Sequence, residues 1–168
     1  VSERVKSIHM SLIASCRSLL VGAVVFVTAA SSVRADEGQR LAIPLLPQYQ
    51  QECGACHLAY PPGLLPAASW QHLMAGLSRH FGTDASLDAP TTQAVTGWLV
   101  ANAGTYRKVR EAPAQDRISR ADWFVREHRE VTPAVWQRAS IKSAGNCPAC
   151  HAKADIGSFR EREIRIAQ

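Results

Sequence analysis

Cys53-Gly54-Ala55-Cys56-His57 and Cys147-Pro148-Ala149-Cys150-His151 write one pattern, Cys-x-x-Cys-His, twice in a chain of 168 residues. Two thiols at this spacing reach the two vinyl groups of a porphyrin, and the adjoining imidazole reaches its iron. That is the attachment pattern of c-type haem. Two copies predict two covalently attached haem c groups (iron), bonded through Cys53, Cys56, Cys147 and Cys150, with His57 and His151 as near-side iron ligands. Zinc would need the two cysteine pairs to converge across roughly 90 residues, far beyond zinc-ribbon spacing. Thiol–disulfide exchange would expect a βαβ setting, and strand-type alternation is nearly absent here. Neither alternative accounts for a histidine directly after both second cysteines.

Ahead of the motifs, residues 18–30 form an apolar run of signal-peptide length, preceded by Arg4, Lys6 and Arg17 and followed by the small-x-small site Val33-Arg34-Ala35. Residues 1–35 are therefore expected to be a cleaved signal peptide, with Met10 as a candidate start and Cys16 removed with the leader. Export to the periplasm is expected, because covalent haem attachment in bacteria takes place outside the cytoplasm. Residues 36–168 then keep four of the five cysteines, all within the motifs, so no disulfide staples the fold. Units this small are short of apolar core. The porphyrins are expected to supply much of the interior, leaving the apoprotein poorly folded.

The formal charge of +5 overstates the basic character. Four of the 19 Lys and Arg and one of the 14 Asp and Glu precede residue 36, which leaves 15 against 13. Two ferric haems with their propionates bring the oxidised total to about zero. No basic stripe with interleaved aromatics is present, so nucleic acid is not an expected partner.

A polar stretch at residues 104–118, containing Pro113, separates an N-terminal haem domain, 36–104, from a C-terminal one, 105–168. Helices are expected over 45–53, over 67–81 with Gly82 as the stop, and from Pro90 to Gly104 with Val95, Trp98 and Leu99 on one face. In the second half, Ser119-Arg120-Ala121-Asp122 has capping-box form and predicts a helix to about Glu130. Thr132-Pro133 predicts a further helix bearing Trp136. The predicted fold class is mostly α.

The far side of each iron separates a closed electron carrier from an open catalyst. Beyond Met10, the only methionine is Met74, so both irons cannot be His/Met. His72, His80 and His128 are the histidines left. On a helix over 67–81, turning about 100° per residue, His80 falls beside Leu73 at the edge of the apolar face. His72 falls beside Arg79 on the polar face, as a solvated histidine. Met74 shares the apolar face and competes with His80, although core filling is the commoner use of methionine. His128 lies on a stripe with Phe124 and Val131 and is the only histidine of its half besides His151. Crossed ligation between the halves stays open at this level. Arg126, Arg129, Arg160, Arg162 and Arg165 are either solvated charges or partners for propionates or an acidic surface.

Trp70 and the run Leu77-Ser78-Arg79-His80-Phe81-Gly82-Thr83-Asp84-Ala85-Ser86-Leu87 resemble the small bacterial dihaem cytochromes c. So do Arg117-Ile118-Ser119, Trp123-Phe124 with Arg126-Glu127-His128, and Lys142-Ser143-Ala144 leading through Asn146 to the second motif. The likeness continues through Ala154, Gly157 and Phe159 to Ile164-Arg165-Ile166. It implies an N-terminal class I cytochrome c-like haem domain followed by a small irregular helical haem domain. It further implies two bis-histidinyl low-spin haems, with His80 and His128 as far ligands. His72 departs from the pattern.

The resemblance also implies electron transfer, in some bacteria to an oxygen-binding c-type haem protein, the sphaeroides haem protein. Two nitrogen ligands favour ferric iron, toward the low end of the range that axial ligands set, roughly 0.8 V wide. Nothing else in the chain supplies a nucleophile motif, phosphate loop or metal–carboxylate cluster. The expectation is a periplasmic, low-potential dihaem electron carrier and not an enzyme. Its expected partners are other redox proteins: an oxygen-binding c-type haem protein, or a membrane cytochrome or quinol oxidoreductase. The alternatives are a haem peroxidase or gas sensor with one labile far ligand, and a subunit of a membrane oxidoreductase.

Overall fold

Proline opens three of the five α-helices in the computed structural model, which describes residues 43–104 and 109–166. The expected leader, its cleavage site, Met10 and Cys16 lie outside the described residues. Helix α1 (Pro47–Gly54) starts with Pro47, α3 (Ala89–Ala101) carries Pro90 in its first turn, and α5 (Pro133–Trp136) starts with Pro133. A first-turn proline loses no helical hydrogen bond and arrives with its φ already set. Asp88 completes the start of α3 by accepting a 2.9 Å hydrogen bond from the Thr91 amide. Helices α2 (Ala67–Ala75) and α4 (Asp122–Glu127) and a series of single 3-10 turns complete the regular structure. Among the described residues there are no strands, only the isolated bridges His80–Thr83 and His151–Ile164. The fold is mostly α. None of the described helices is long and apolar enough to cross a membrane.

The expected helix over 67–81 is shorter in the structure. It ends at Ala75, where the Gly76 amide bonds both the His72 and Leu73 carbonyls and glycine's conformational freedom favours termination. A 3-10 turn (Leu77–Arg79) follows, and His80 has extended backbone beyond it. Phe81 at φ 50° and Gly82 at φ 98° then reverse the chain. His80 is therefore presented by a turn, and the helical-face ranking does not describe its position. Ser119 likewise does not cap α4. It lies within a 3-10 turn (Ile118–Arg120), and Ala121 precedes the helix without a side-chain cap. That helix stops at Glu127, short of the expected Glu130, leaving His128 as its C-cap residue.

The first-half core joins α1, α2 and α3 through Tyr49, Leu65, Trp70, Met74, Val95 and Leu99, all at most 7% exposed. Tyr49 stands 5.2 Å from Trp98, ring centre to ring centre, and Trp70 Nε1 donates to the Pro62 carbonyl at 2.8 Å. Among the described residues, the second half has fewer buried apolar groups: Val109, Ala121, Phe124, Ile141 and Ala154. Its short turns are closed by local bonds such as Asn146 Nδ2 to the Ile141 carbonyl at 3.0 Å. Both expected halves belong to one compact unit.

Gly104 marks the tightest approach in this framework. Its amide donates to the Leu65 carbonyl at 2.9 Å, and a Cβ built on it would stand 2.5 Å from both the Gly63 carbonyl oxygen and Val109 Cγ1. Gly104→Ala is expected to destabilise the holoprotein by about 2 kcal/mol or more, the scale of core overpacking. Leu99→Ala, at a side chain 1% exposed, is expected to cost about 3 kcal/mol. Denaturant unfolding followed by tryptophan fluorescence measures both.

Candidate haem sites

Each Cys-x-x-Cys-His segment ends on an imidazole that faces a second imidazole from elsewhere in the chain. His57, just after α1, stands 6.1 Å from His80 between ring centres, with 24° between the planes. His151, after the 3-10 turn Cys147–Ala149, stands 6.1 Å from His128, with 76° between the planes. With metal–nitrogen bonds of about 2.0 Å, two imidazoles on opposite sides of one metal have ring centres about 6 Å apart. Each half thus pairs its own two histidines.

Hydrogen bonding settles which ring nitrogen is available in one member of each pair. His57 Nδ1 lies 2.7 Å from the Leu58 carbonyl oxygen, and His128 Nδ1 lies 2.9 Å from that of Phe124. A carbonyl only accepts, so the neutral ring has its proton on Nδ1 and its lone pair on Nε2, the form a metal takes. In the other members, His80 Nδ1 and His151 Nδ1 are buried without a hydrogen-bond partner. Burial, then the nearby His57 and Arg117, pushes the pKa of His80 below the ordinary histidine value. Burial and His128 do the same to His151. Both are thereby held in the neutral form that ligation needs.

Aromatic contacts fix these rings. Tyr60 stacks on His57 at 5.1 Å, and Phe81 leans on His80 at 4.8 Å. Phe124 stacks on His128 at 4.0 Å, with Trp136 5.9 Å from the same ring, and Phe159 stands 5.3 Å from His151. The C-terminal segment folds back over the second motif. The Arg165 amide donates to the Cys150 carbonyl at 2.8 Å, while Glu163 accepts from Ser158 Oγ at 2.7 Å and Lys153 Nζ at 3.0 Å. A half-open cleft of about 410 Å³ with a mixed polar and apolar lining, including Gln50, Ala59, Pro61, Asp155 and Ile156, connects the chain following each motif.

The cysteines are suited to bonding a porphyrin more than to zinc or thiol exchange. Cys53, Cys56, Cys147 and Cys150 form no disulfide. Burial, then Glu52, pushes the Cys53 thiol up to about 11, and burial pushes Cys147 up to about 11 as well. Redox-active Cys-x-x-Cys pairs shift the other way. Among the described residues, no three His, Cys, Asp or Glu side chains gather as a tetrahedral zinc site would need. The residues fit two haems, which the four cysteines would bond and the four paired histidines would ligate. Trp123 Nε1 and Arg160 Nε are also buried donors without acceptors, and propionates are acceptors of the right charge.

The profile of the dihaem cytochrome c family matches residues 49–159. The chain belongs to this family. Dihaem cytochrome DHC purified from Rhodobacter sphaeroides is 43% identical, with a TM-score of 0.61 over 70% of this chain and 99% of that one. A new dihaem cytochrome type c from Shewanella baltica OS155 is 35% identical, with a TM-score of 0.65 over 74% of this chain and 94% of that one. No curated protein matches the chain. The cytochrome's cofactors are two covalently bound haem c groups, and its chemistry is haem-based electron transfer.

The other candidates fall away from the paired rings. Met74 is 7% exposed within the core cluster. His72 has a side chain 73% exposed and pairs with Asp116 at 3.6 Å. Arg126 and Arg129 extend into solvent beside Glu127 and Glu130. Sequence reasoning passed over Tyr60, three positions after His57, and the role of Arg117. An aromatic so close behind the motif was the available signal for the first; the second depends on a long-range contact. Arg117 lies 4.1 Å over the ring of Phe81, which touches His80. A cation there opposes the charge gained when iron becomes ferric. Across the Phe81 and His80 rings, on the order of 10 Å, a unit charge would be worth about 1 kcal/mol at an effective dielectric of about 30, roughly 40 mV for one electron. Arg117→Gln is expected to lower one midpoint potential by about that amount and leave the other in place, as read by spectroelectrochemical titration.

Proposed function

We propose that this chain is a periplasmic electron carrier of low potential, with two bis-histidinyl haems closed by His57/His80 and His151/His128. Cys53 and Cys56 attach the first haem, and Cys147 and Cys150 the second. The observation that carries the reading is the pair of 6.1 Å ring separations, each within one half of the chain. The apolar run and basic flank ahead of Asp36 favour export. Another redox protein is the fitting partner, either an oxygen-binding c-type haem protein or a membrane cytochrome or quinol oxidoreductase.

The haem iron supplies the one-electron couple, and this chain's residues tune and guard it. Leu58 and Phe124 hold His57 and His128 in the tautomer with Nε2 free. Phe124 covers a face of the His128 ring, while Phe81 and Phe159 stand tilted against His80 and His151. Imidazole nitrogens on both sides favour the ferric state, which sets a low potential. With His57/His80 and His151/His128 holding the two irons, peroxide or a diatomic gas would find no place to bind. Little rearrangement then accompanies a change of oxidation state.

Ferric near-infrared and electron paramagnetic resonance spectra test the ligation. Two low-spin signals are expected, with no methionine-to-iron charge-transfer band. The near-parallel His57/His80 planes, 24° apart, would give a rhombic signal. The crossed His151/His128 planes, 76° apart, would give one broad feature at large g. His80→Ala and His128→Ala should each turn one haem high-spin and open its ferrous form to carbon monoxide. Stoichiometric carbon monoxide binding by the unaltered protein would defeat the closed-site reading.

A further inference from the structure

The four histidines that face each other in pairs are not held alike. His57 and His151 follow directly on Cys56 and Cys150, so thioether bonds to the porphyrin would keep both beside their irons. Release of a ligand therefore falls to the far members, His80 and His128, and these two differ in what holds them.

His128 is held by hydrogen bonds and by rings. Its Nδ1 lies 2.9 Å from the Phe124 carbonyl oxygen. Its amide donates to that same carbonyl at 3.0 Å, and its own carbonyl accepts the Val131 amide at 3.0 Å. Phe124, only 6% exposed, stacks on the ring at 4.0 Å with 18° between planes, and Trp136 stands 5.9 Å away. A hydrogen bond given by Nδ1 also makes Nε2 a stronger donor to a metal. To leave an iron, this imidazole would have to give up both the bond and the stack.

His80 lacks that hydrogen bond, because its Nδ1 is buried without a partner. Phe81 leans on it at 59° and is itself 46% exposed. The ring is carried by a turn bonded within itself, through the Thr83 amide to the His80 carbonyl at 3.0 Å and the Ala85 amide to the Leu77 carbonyl at 2.9 Å. Phe81 sits at φ 50°, a costly conformation for a residue with a bulky side chain. A Cβ built on Gly82 would meet nothing within 4 Å. By swinging outward, His80 would give its Nδ1–H a water partner and end the cost of an unpaired buried donor. The turn has open space to move into.

We propose that the first haem has a capacity beyond electron transfer: His80 is a displaceable ligand, and a small anion or diatomic that binds iron through carbon or nitrogen takes its place while His128 stays bound. One iron–nitrogen bond breaks and one bond to the incoming atom forms, with no change of oxidation state. The freed imidazole keeps its proton on Nδ1, and its Nε2 accepts the proton that hydrogen cyanide, as the incoming molecule, releases. The inference rests on the bis-histidine reading. The resting site is closed, and the incoming ligand binds only as fast as His80 lets go.

The test mixes the ferric holoprotein with cyanide and follows absorbance and electron paramagnetic resonance. The rhombic signal of the His57/His80 haem is expected to disappear while the large-g feature of the His151/His128 haem remains. The rate should level off as cyanide rises, and exceed that at the second haem about ten-fold or more, the scale of one hydrogen bond and one aromatic contact. His128→Ala assigns the phases independently: its opened second haem reacts at once and the slow phase of the first is retained. Phe81→Ala, which removes the ring leaning on His80, should speed that slow phase several-fold. Earlier loss of the large-g feature, equal rates at the two haems, or no reaction at either would overturn the proposal. A high-spin signal before cyanide is added would count against the closed-site reading instead.

Discussion

An imidazole facing another across about 6 Å is useful to a metal only if neither ring can turn, and that constraint organises both halves of this cytochrome. Each facing pair contains one ring pinned through Nδ1 to a backbone carbonyl, His57 by Leu58 and His128 by Phe124. Pinning fixes rotation and tautomer together, because a carbonyl can only receive the proton. The second ring of each pair is held by aromatic contact, His80 by Phe81 and His151 by Phe159. The two halves differ in sequence and in helical content, yet both divide the task in the same way.

The halves reach that geometry at different structural cost. The first rests on three helices and a shared apolar cluster, so the orientation of His57 follows from where α1 ends. The second has short turns, few buried apolar groups and a returning C-terminal segment tied by Arg165 to Cys150 and by Glu163 to Ser158 and Lys153. Such a region cannot offset its conformational entropy by apolar burial alone. Covalent attachment of a porphyrin supplies the missing contact surface and a cross-link between neighbouring cysteines.

How legible this was from sequence varies with the range of the interaction concerned. Local chemistry was readable. The two motifs, the proline starts of α3 and α5, the short helix before the first motif and the exposed, solvated His72 all follow from neighbouring residues. Helix ends were not. The apolar periodicity of 67–81 continues past Gly76, but the Gly76 amide closes on the His72 and Leu73 carbonyls and the helix stops. His80 therefore meets His57 from a turn, for reasons that a helical wheel does not contain. Ser119 had the composition of a cap but sits in a 3-10 turn, where its hydroxyl caps nothing. Tyr60 and Arg117 act through contacts with distant segments, which periodicity cannot locate.

The placing of Arg117 and Tyr60 bears on why two haems share so small a chain. If the sites were equivalent and independent, an electron arriving at either would have no preferred direction. Arg117 sits over Phe81 beside the first site, and its charge would favour the ferrous state there relative to a neutral neighbour. The second site has ring planes crossed at 76° where the first has 24°, so the two irons would experience different ligand fields even with the same ligand types. Inequivalence gives direction, and direction is useful only when the sites exchange electrons readily. Helix packing alone would leave that exchange subject to small shifts between the halves. A hydroxyl bonded at 2.6 Å to the loop that begins the second motif, with its ring on the first motif's histidine, ties the two halves together.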